Sequence, residues 1–522
     1  MLGPSADFTS ELRGWKHSCY IRTKAMGAGN AGPPSTNSLT VTDNRTGKTI
    51  HVPIENNSVP ATAFKQLKKQ QSVGERDEDE VENGLRVYDP GQVTYMNTAV
   101  IQSKITYIDG ENGVLRYRGY PIEQLAAKSS FLEVAYLLIY GELPGKSQLK
   151  LFEAEVLHHS YVHRDLEKLV GDFNDQTHPM SLLVSAFAAM GSFDQSANPA
   201  LAGQKLYANG GTRANLEAMD KQIFRLIGKS ITVAAMAWKI YNGRQFNSPP
   251  TGSNLDYTSS FLYMLDNLNE KDFKPHPVFA KALDILFILH ADHEMNCSAA
   301  AMLQVGSSLA DPFSCVSAAT AALYGPLHGG ANEAVIKMLI EIGSPENVPA
   351  FIEKVKRKEA VLSGFGHRIY RKTDPRSEIV RKVADEVFAV TGSDPLLETA
   401  MALYDAALKE KYFVERRLYA NVDFFTGLIY RAMAFPPQFF TVLFATPRVV
   451  GWVAHWRQMM LQQAGVKIWR PRQVYLGSGK RDYVPMEHRT EDMTRPKHPS
   501  GEPTQVKHLF SKRLLLSRDA KI

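Results

Sequence analysis

The amino-acid sequence predicts an all-α protein with short β-hairpins near its N-terminus. Helical segments of apolar or amphipathic pattern follow one another from residue 130 onward, and strand-like alternation is scarce among them. Gly or Pro lies between most neighbouring segments, as expected for connections between helices. At 522 residues the chain is also long enough for two or three domains, since a single core rarely exceeds about 300 residues.

Composition limits the classes of function. Hydrophobic residues make up 44% and charged residues 22% of the chain, as in soluble globular proteins and unlike disordered or fibrous ones. The net charge of +6 is spread over 60 basic and 54 acidic residues, which favours small anionic ligands over nucleic acid. The three cysteines have no metal-ligand or redox spacing, and no apolar run approaches the roughly 20 residues that span a bilayer. We therefore expect reduced thiols, no membrane segment and no nucleic-acid partner.

Two hairpins are the first predicted elements in chain order. Residues 1–36 have no apolar periodicity and are predicted to be flexible. The β-rich runs 39–42 and 49–52 flank an Asn-Arg-Thr-Gly turn, which predicts one hairpin. The runs 105–110 and 114–119 predict the second.

The predicted helices begin at residue 130. Ser130 and Glu133 form a capping box ahead of the apolar run 134–140, and Gly141 supplies the stop signal. Further helices are predicted at 180–191, 229–241, 257–268, 278–302, 314–323, 332–342 and 378–390.

A glycine-rich stretch at residues 363–376 has the character of an anion-binding loop. It reads Ser-Gly-Phe-Gly-His-Arg-Ile-Tyr-Arg-Lys-Thr-Asp-Pro-Arg. The two glycines allow backbone conformations in which peptide N–H groups face a ligand, and His367 lies beside them. The proline favours a new segment that begins at Arg376, with the guanidinium free to bind a planar carboxylate. The alternative is a surface turn with an incidental histidine.

Two histidines lie near the end of an apolar run. His290 and His293 are three residues apart and are predicted to lie on one face of the 278–302 helix. Asp292 and Glu294 are close enough to suggest a metal site, but the pattern is not His-Glu-x-x-His and no further ligand stands at a suitable spacing. We favour buried histidines that are hydrogen-bonded or donate to an anion.

Two further motifs place one reactive group each near the start of a helix. In Gly-Pro-Leu-His-Gly-Gly, His328 precedes the helix 332–342, whose N-terminus disfavours an imidazolium, so we expect a neutral donor that can polarise a carbonyl. Simple packing in the turn is the alternative. In Asn-Val-Asp-Phe-Phe, Asp423 lies among aromatic residues, where burial would raise its pKa towards that of a general base. The alternative for Asp423 is to cap the helix that starts there.

Arginines beside prolines complete the set of candidates. Arg448 and Arg472 stand in apolar or aromatic surroundings, where a partly buried guanidinium needs an anionic partner. Each by itself could form a simple salt bridge. Together with Arg376 they fit a small dicarboxylate held by bidentate hydrogen bonds.

Taken in order, these five stretches resemble the signature motifs of the citrate synthase family, over about residues 39–480. The resemblance is greatest to bacterial-type enzymes and their plant-like peroxisomal relatives. It implies an all-α homodimer in which each subunit has a large helical domain and a smaller helical domain that closes over the active site. The implied segments are an N-terminal extension at 1–36, a β-containing region and connector at 37–104, the large domain at 105–330 with 438–480, the small domain at 331–437 and a C-terminal tail at 481–522.

The resemblance implies a Si-type citrate synthase, an acyltransferase that condenses acetyl-CoA with oxaloacetate and water to give citrate and CoA. The implied catalytic trio is His328, His367 and Asp423. Asp423 would remove a proton from the acetyl methyl group, neutral His328 would donate to the thioester oxygen, and His367 would polarise the ketone of oxaloacetate. No metal and no tightly bound cofactor are implied, and acetyl-CoA enters as a substrate.

The binding residues are also implied by the resemblance. The oxaloacetate contacts are His293, His367, Arg376, Arg448 and Arg472, the last supplied by the neighbouring subunit. The coenzyme A contacts are Val361, Leu362, Ser363, Gly364, Phe365 and Arg416. His290 is expected in a supporting role.

Two alternatives to this function stay open in the sequence. A 2-methylcitrate synthase would use propionyl-CoA with the same residues, since one methylene changes binding by only about 1 to 3 kcal/mol. A catalytically silent structural homologue would keep the fold without the activity. The C-terminal Ala-Lys-Ile has the small-basic-apolar form of a peroxisomal Ser-Lys-Leu-type address, though with Ile in the last place. We therefore expect a peroxisomal enzyme, with the mitochondrial matrix as the alternative, acting in the glyoxylate or tricarboxylic acid cycle.

Overall fold

The computed structural model describes residues 37–67, 98–208, 211–250, 252–367, 369–392, 395–471 and 477–489. The N-terminal extension 1–36, Arg472 and the C-terminal Ala-Lys-Ile lie outside the described residues. The chain divides into two compact units, one of residues Met1–Val100 with Arg472–Ile522 and one of residues Ile101–Pro471.

The first unit contains the first predicted hairpin. Strands β1 (Ser38–Asp43) and β2 (Lys48–Pro53) pair in antiparallel register, with Leu39 opposite Val52. Gly47 has a φ of 72° in the connecting turn, a conformation that suits glycine. Short 3-10 helices span Ala61–Gln66 and Met486–His488. The first hairpin is confirmed.

The second unit begins with the second predicted hairpin. Strands β3 (Thr106–Asp109) and β4 (Val114–Tyr117) are antiparallel, and β5 (Tyr120–Pro121) pairs with β4. The second hairpin is confirmed, and its base reaches the active-site loops described below.

Helices make up the rest of the second unit, which confirms the all-α class. They are α1 (Ile122–Lys128), α2 (Phe131–Tyr140), α3 (Lys146–His158), α4 (Arg164–Gly171), α5 (Pro179–Met190), α6 (Pro199–Ala202), α7 (Arg213–Tyr241), α8 (Tyr257–Asp266), α9 (Pro277–His290), α10 (Cys297–Gly306), α11 (Pro312–Tyr324), α12 (Ala331–Ile342), α13 (Val348–Lys356), α14 (Pro375–Thr391), α15 (Pro395–Lys409), α16 (Lys411–Glu415), α17 (Val422–Ala432) and α18 (Pro437–Met460). Short 3-10 helices span Gly191–Phe193, Gln195–Ala197 and Pro345–Asn347. Among the residues described, no single helix is both long and apolar enough to cross a membrane.

The predicted start and stop signals act at α2. The Ser130 side chain accepts a hydrogen bond from the backbone N–H of Glu133 at 3.3 Å, and Gly141 ends the helix with a φ of 101°. Most of the side chains between them are buried in the core. Local capping chemistry and the apolar pattern therefore agree.

The predicted helix 278–302 is wrong as a single element. It is two helices, α9 and α10, separated by a loop in which Glu294 has a φ of 55°. Asn296 caps α10, since its side chain accepts from the backbone N–H of Ala299 at 3.0 Å. His290 ends α9 and His293 lies in the loop, so the two histidines do not share one helix face as predicted.

Helix α18 is buried along most of its length. Trp452, Trp456 and Arg448 are among the largest fully buried side chains of the described residues. Gly451 lets the loop before α10 lie directly on this helix, with a hydrogen bond from its N–H to the carbonyl of Ala291 at 3.0 Å. Residues from the middle of α18 therefore reach the site described below.

Candidate active site

The glycine-rich loop is joined to the start of α17, which carries Asp423. The N–H of Gly366 donates to the carbonyl of Tyr419 at 2.7 Å, and the N–H of Asn421 donates to the carbonyl of Gly364 at 2.9 Å. The side-chain amide of Asn421 adds a hydrogen bond to the carbonyl of Gly366 at 3.0 Å. Two segments that are distant in sequence thus form one rigid corner.

Both loop glycines are required by this corner. Gly364 has a φ of 79°, and a Cβ there would lie 2.6 Å from the Val335 side chain and 3.1 Å from the Phe424 ring. Gly366 has a φ of 80°, and a Cβ there would lie 2.9 Å from Leu418. Left-handed backbone and close approach together exclude larger residues. The prediction of unusual glycine conformations is confirmed.

His367 is held as a neutral hydrogen-bond donor. Its Nδ1 accepts from the backbone N–H groups of Ile369 at 3.0 Å and Tyr370 at 3.2 Å. Burial lowers the pKa of His367 to about 4. The neutral ring therefore carries its hydrogen on Nε2, the nitrogen on the other side.

Asp423 is not the cap of its helix. Asn421 caps α17, because its side chain accepts from the backbone N–H of Asp423 at 3.0 Å. Burial raises the pKa of Asp423 to about 6, against the opposing field of Arg376 and Arg448. The carboxylate therefore has the basicity expected of a general base at neutral pH.

His328 lies against Ser298, at the start of α10. Its Nε2 is 3.0 Å from Ser298 Oγ and accepts from the Ser298 backbone N–H at 3.3 Å. Ser298 Oγ is in turn held by the indole N–H of Trp452 at 3.1 Å and donates to Asn296 at 2.7 Å. A backbone N–H can only donate, so the hydrogen of the neutral ring belongs on Nδ1.

His293 is a buried histidine with one unsatisfied nitrogen. Its Nε2 has no hydrogen-bond partner among the described residues, and its ring centroid is 5.3 Å from that of His367 and 5.7 Å from that of Tyr370. Burial and the field of Arg376 hold its pKa well below the ordinary value. The Nδ1–H of His290 donates to the Leu286 carbonyl at 2.8 Å and the ring packs on Phe444, which fits a supporting role.

The prediction that the guanidinium of Arg376 is free is wrong. Its Nε and Nη2 bind both oxygens of Asp374, at 3.0 and 2.7 Å. Asp374 also caps α14 through the backbone N–H of Arg376 at 3.0 Å, so a single carboxylate fixes the helix start and the arginine. The prediction missed this pair because the proline between the two residues suggested a break rather than a return contact. The Nη1 side of the guanidinium is not used by Asp374.

Arg448 is a fully buried guanidinium that forms no ion pair with a carboxylate of the described residues. Its Nε donates to the carbonyl of His290, and its Cζ lies 4.6 Å from the centroid of the Phe444 ring. Burial lowers the pKa of Arg448 to about 10, and Asp292 partly offsets that effect. An anionic ligand would supply the missing partner.

Five of the six predicted coenzyme A residues lie just before His367. Val361 is 79% exposed, whereas Leu362 and Phe365 are buried under the loop. The N–H of Ser363 points to the sulfur of Met338 at 3.3 Å. Arg416 is exposed and stacks on Tyr412, with Cζ 3.8 Å from the ring centroid. No group of three or more His, Cys, Asp or Glu side chains in the described part of the chain is placed to hold a metal ion.

Several residues of the site were missed by sequence reasoning. Ser298 and Trp452 fix His328, yet they are 154 residues apart and only the fold joins them. Tyr370 packs on His367 with ring centroids 4.6 Å apart, and its position three residues after His367 could have suggested it. Asp292 was considered only as a metal ligand, and its actual contacts are described below.

Comparison with known proteins gives a consistent result. Residues 94–472 match the family model "Citrate synthase, C-terminal domain". The chain is 52% identical to the peroxisomal citrate synthase of Dictyostelium discoideum, over 86% of this chain and 87% of that one. It is 52% identical to the glyoxysomal citrate synthase of Cucurbita maxima, over 86% and 84%.

Solved structures agree with the sequence relatives. Citrate synthase from Pyrobaculum aerophilum superposes with a TM-score of 0.68 at 34% identity, over 76% of this chain and 94% of that one. The ternary complex of Thermoplasma acidophilum citrate synthase with carboxymethyl coenzyme A and oxaloacetate superposes with a TM-score of 0.66 at 29% identity, over 75% and 98%.

Proposed function

The chain belongs to the citrate synthase family, and from that premise we propose how its residues divide the work of the reaction. It is an acyl-transferring enzyme that condenses acetyl-CoA with oxaloacetate and water to give citrate and CoA. The relatives reported above are named as citrate synthases, and none of them as a 2-methylcitrate synthase. Both rival functions considered from the sequence are thereby disfavoured.

Asp423 is the base that removes a proton from the acetyl methyl group. The observation that carries this proposal is the position of Asp423 on the corner formed with the His367 loop, where Asn421 and not Asp423 caps α17; burial there raises the pKa of Asp423 to about 6. At pH 7 and above the carboxylate is ionised yet more basic than an ordinary aspartate. It can therefore accept a proton from carbon once the enolate oxygen is stabilised.

His328 stabilises that oxygen. Because Nε2 accepts from the Ser298 backbone N–H, the ring hydrogen lies on Nδ1, and we assign Nδ1–H as the donor to the thioester oxygen as negative charge develops there. Because the His328 ring is neutral, it shares its proton with the enol oxygen in a hydrogen bond. The ring is therefore neutral again at the end of the step. The backbone N–H of Ser298 keeps the ring from turning away.

His367 polarises the ketone of oxaloacetate. Two backbone N–H groups hold its Nδ1, so Nε2–H is the donor. The loop hydrogen bonds place this histidine on the same corner as Asp423. The electrophilic carbon and the nucleophilic enol are thereby brought together, and water afterwards hydrolyses the thioester of citryl-CoA.

The two carboxylates of oxaloacetate bind to the buried cations. Arg448 has no carboxylate partner among the described residues. Asp374 binds Arg376 through Nε and Nη2 and does not use Nη1. His293 adds a donor through its unsatisfied ring nitrogen. Arg472 of the neighbouring subunit completes the set, as expected for a homodimer whose small domain closes over the substrates.

Coenzyme A binds along residues 361–365. Val361 supports this placement, because its high exposure leaves the start of the segment accessible to a ligand. Arg416 on the Tyr412 ring offers a cation for a phosphate group. No tightly bound cofactor is needed.

The peroxisome is the proposed compartment. Two of the relatives are named peroxisomal or glyoxysomal, which supports this compartment. A fluorescent fusion to the C-terminal ten residues should enter peroxisomes, and removal of the last three residues should leave it outside. Entry into mitochondria instead would favour the matrix.

Release of a free thiol on mixing the purified protein with acetyl-CoA and oxaloacetate tests the function. Citrate should form in equal amount, and omission of oxaloacetate should stop both. Propionyl-CoA should give a kcat/KM at least about tenfold lower, the usual discrimination of a pocket against one methylene. A silent protein, or a preference for propionyl-CoA, would overturn the proposal.

A further inference from the structure

Asp292 is a fully buried carboxylate that the proposed mechanism does not use. It lies in the loop between α9 and α10, one residue before His293. Its Oδ2 accepts from the Thr106 hydroxyl at 2.5 Å and from the Glu294 N–H at 3.2 Å. The Nε2 of His455 lies 3.2 Å from Oδ1 and 3.3 Å from Oδ2. One side chain therefore connects strand β3, the loop and helix α18.

The backbone of the same residue is held as firmly. The Tyr117 hydroxyl donates to the carbonyl of Asp292 at 2.8 Å and accepts from its N–H at 3.2 Å. Gly451 donates to the preceding carbonyl, of Ala291, at 3.0 Å. The loop is thus fixed from strand β4 on one side and from α18 on the other.

The geometry points to a positioning role for Asp292 in oxaloacetate binding. We propose that the carboxylate of Asp292, held by Thr106 and His455, sets the position of His293 relative to Arg448. This inference rests on the proposed function, because it takes His293 and Arg448 as the residues that bind oxaloacetate.

Two observations support this role over simple structural support. His455 and Arg448 are seven residues apart on α18 and therefore lie on the same face of that helix. The carboxylate that binds His455 is directly followed in the chain by His293. A shift of Asp292 would therefore move one oxaloacetate residue relative to the other.

The charge of Asp292 serves the same end. Burial opposes its ionisation, but His455, Thr106 and Arg448 outweigh this and keep the pKa of Asp292 below the ordinary value. Its negative charge stabilises the buried Arg448 without forming an ion pair with it. The donors of Arg448 stay available to the substrate, whereas a directly paired carboxylate would occupy them.

Thr106 offers the sharpest test because it lies outside the site. Thr106→Val removes the hydroxyl that binds Asp292 and keeps the shape, whereas Thr106→Ser keeps the hydroxyl. We expect Thr106→Val to weaken the Kd for oxaloacetate, measured by calorimetry without acetyl-CoA, by about tenfold, and Thr106→Ser to restore it. The KM for acetyl-CoA at saturating oxaloacetate should stay within about twofold in both variants.

Asp292→Asn should act in the same direction and more strongly. Asp311→Asn is the control, since Asp311 is a buried carboxylate that caps α11 away from the site. It should lower the Tm without changing the Kd for oxaloacetate. Equal oxaloacetate affinities of Thr106→Val and Thr106→Ser, or a parallel loss for acetyl-CoA, would overturn the inference. If the parent protein itself binds no oxaloacetate and forms no citrate, the proposed function has failed instead.

Discussion

Replacing Asp423 with asparagine should remove activity and at the same time stabilise the folded protein at neutral pH. Asparagine cannot accept the methyl proton, so kcat for thiol release should fall by about 10²- to 10⁴-fold, the usual contribution of a general base. The parent enzyme should lose kcat/KM as the pH falls through about 6, where Asp423 becomes protonated.

The stability change follows from the same pKa. The carboxyl group has an ordinary pKa of 3.8 and one of about 6 in the folded protein, a rise of about two units, and each unit corresponds to about 1.36 kcal/mol. Burial of the charge therefore costs the folded state at most about 3 kcal/mol. The N-terminal position in α17 favours a negative charge by about 0.3 to 1 kcal/mol, which asparagine gives up. The net gain expected for Asp423→Asn is about 2 kcal/mol.

The sign of the pH dependence is fixed by the direction of the shift. A raised folded pKa means that the folded parent binds the proton more tightly than the unfolded chain, so the cost is absent below about pH 4 and fully present above about pH 6. Thermal unfolding of the parent and the variant between pH 4 and pH 8 should show a Tm difference that grows over this window. Asp311→Asn, which loses the carboxylate oxygen that accepts from the Ser314 hydroxyl, should destabilise instead. An Asp423→Asn protein that is active, or less stable than the parent at pH 8, would refute the reasoning.

Four further substitutions test other parts of the site. His328→Gln should lower kcat by about 10²- to 10³-fold, because the enolate oxygen loses its donor, and should leave the calorimetric Kd for oxaloacetate unchanged; weaker oxaloacetate binding would contradict the assigned role. Arg448→Lys should weaken the Kd for oxaloacetate by about 100-fold, since a lysine cannot form a bidentate contact. Arg416→Lys should raise only the KM for acetyl-CoA. The reverse pattern would exchange the two assignments. Gly364→Ala should lower the free energy of unfolding by more than about 1 kcal/mol and reduce activity. Gly392→Ala is its control in thermal unfolding, because Gly392 also has a positive φ, of 83°, but no atom of a non-neighbouring residue in the described part of the chain lies within 4 Å of its Cβ position. Equal losses in the two variants would show that close packing at Gly364 is unimportant.

Local patterns predicted much of the fold. Both hairpins and helix α2 follow from turn residues, caps and apolar spacing that act over a few residues. Long-range packing is what these patterns cannot express. The single predicted helix 278–302 illustrates this, since its composition stays apolar across the loop and only contacts with β3, β4 and α18 explain the break.

The sequence by itself determined the fold class and the family. The order of its motifs also led to the proposed reactive groups His328, His367 and Asp423, through the resemblance to that family. Only the tertiary structure decided how each group is set for chemistry. The partners of His328 and Asp292 come from residues 30 and 186 positions away in the chain, and such contacts form only when the helices pack. Burial, which raises the pKa of Asp423 and leaves Arg448 without a carboxylate partner among the described residues, is likewise a property of the packed core.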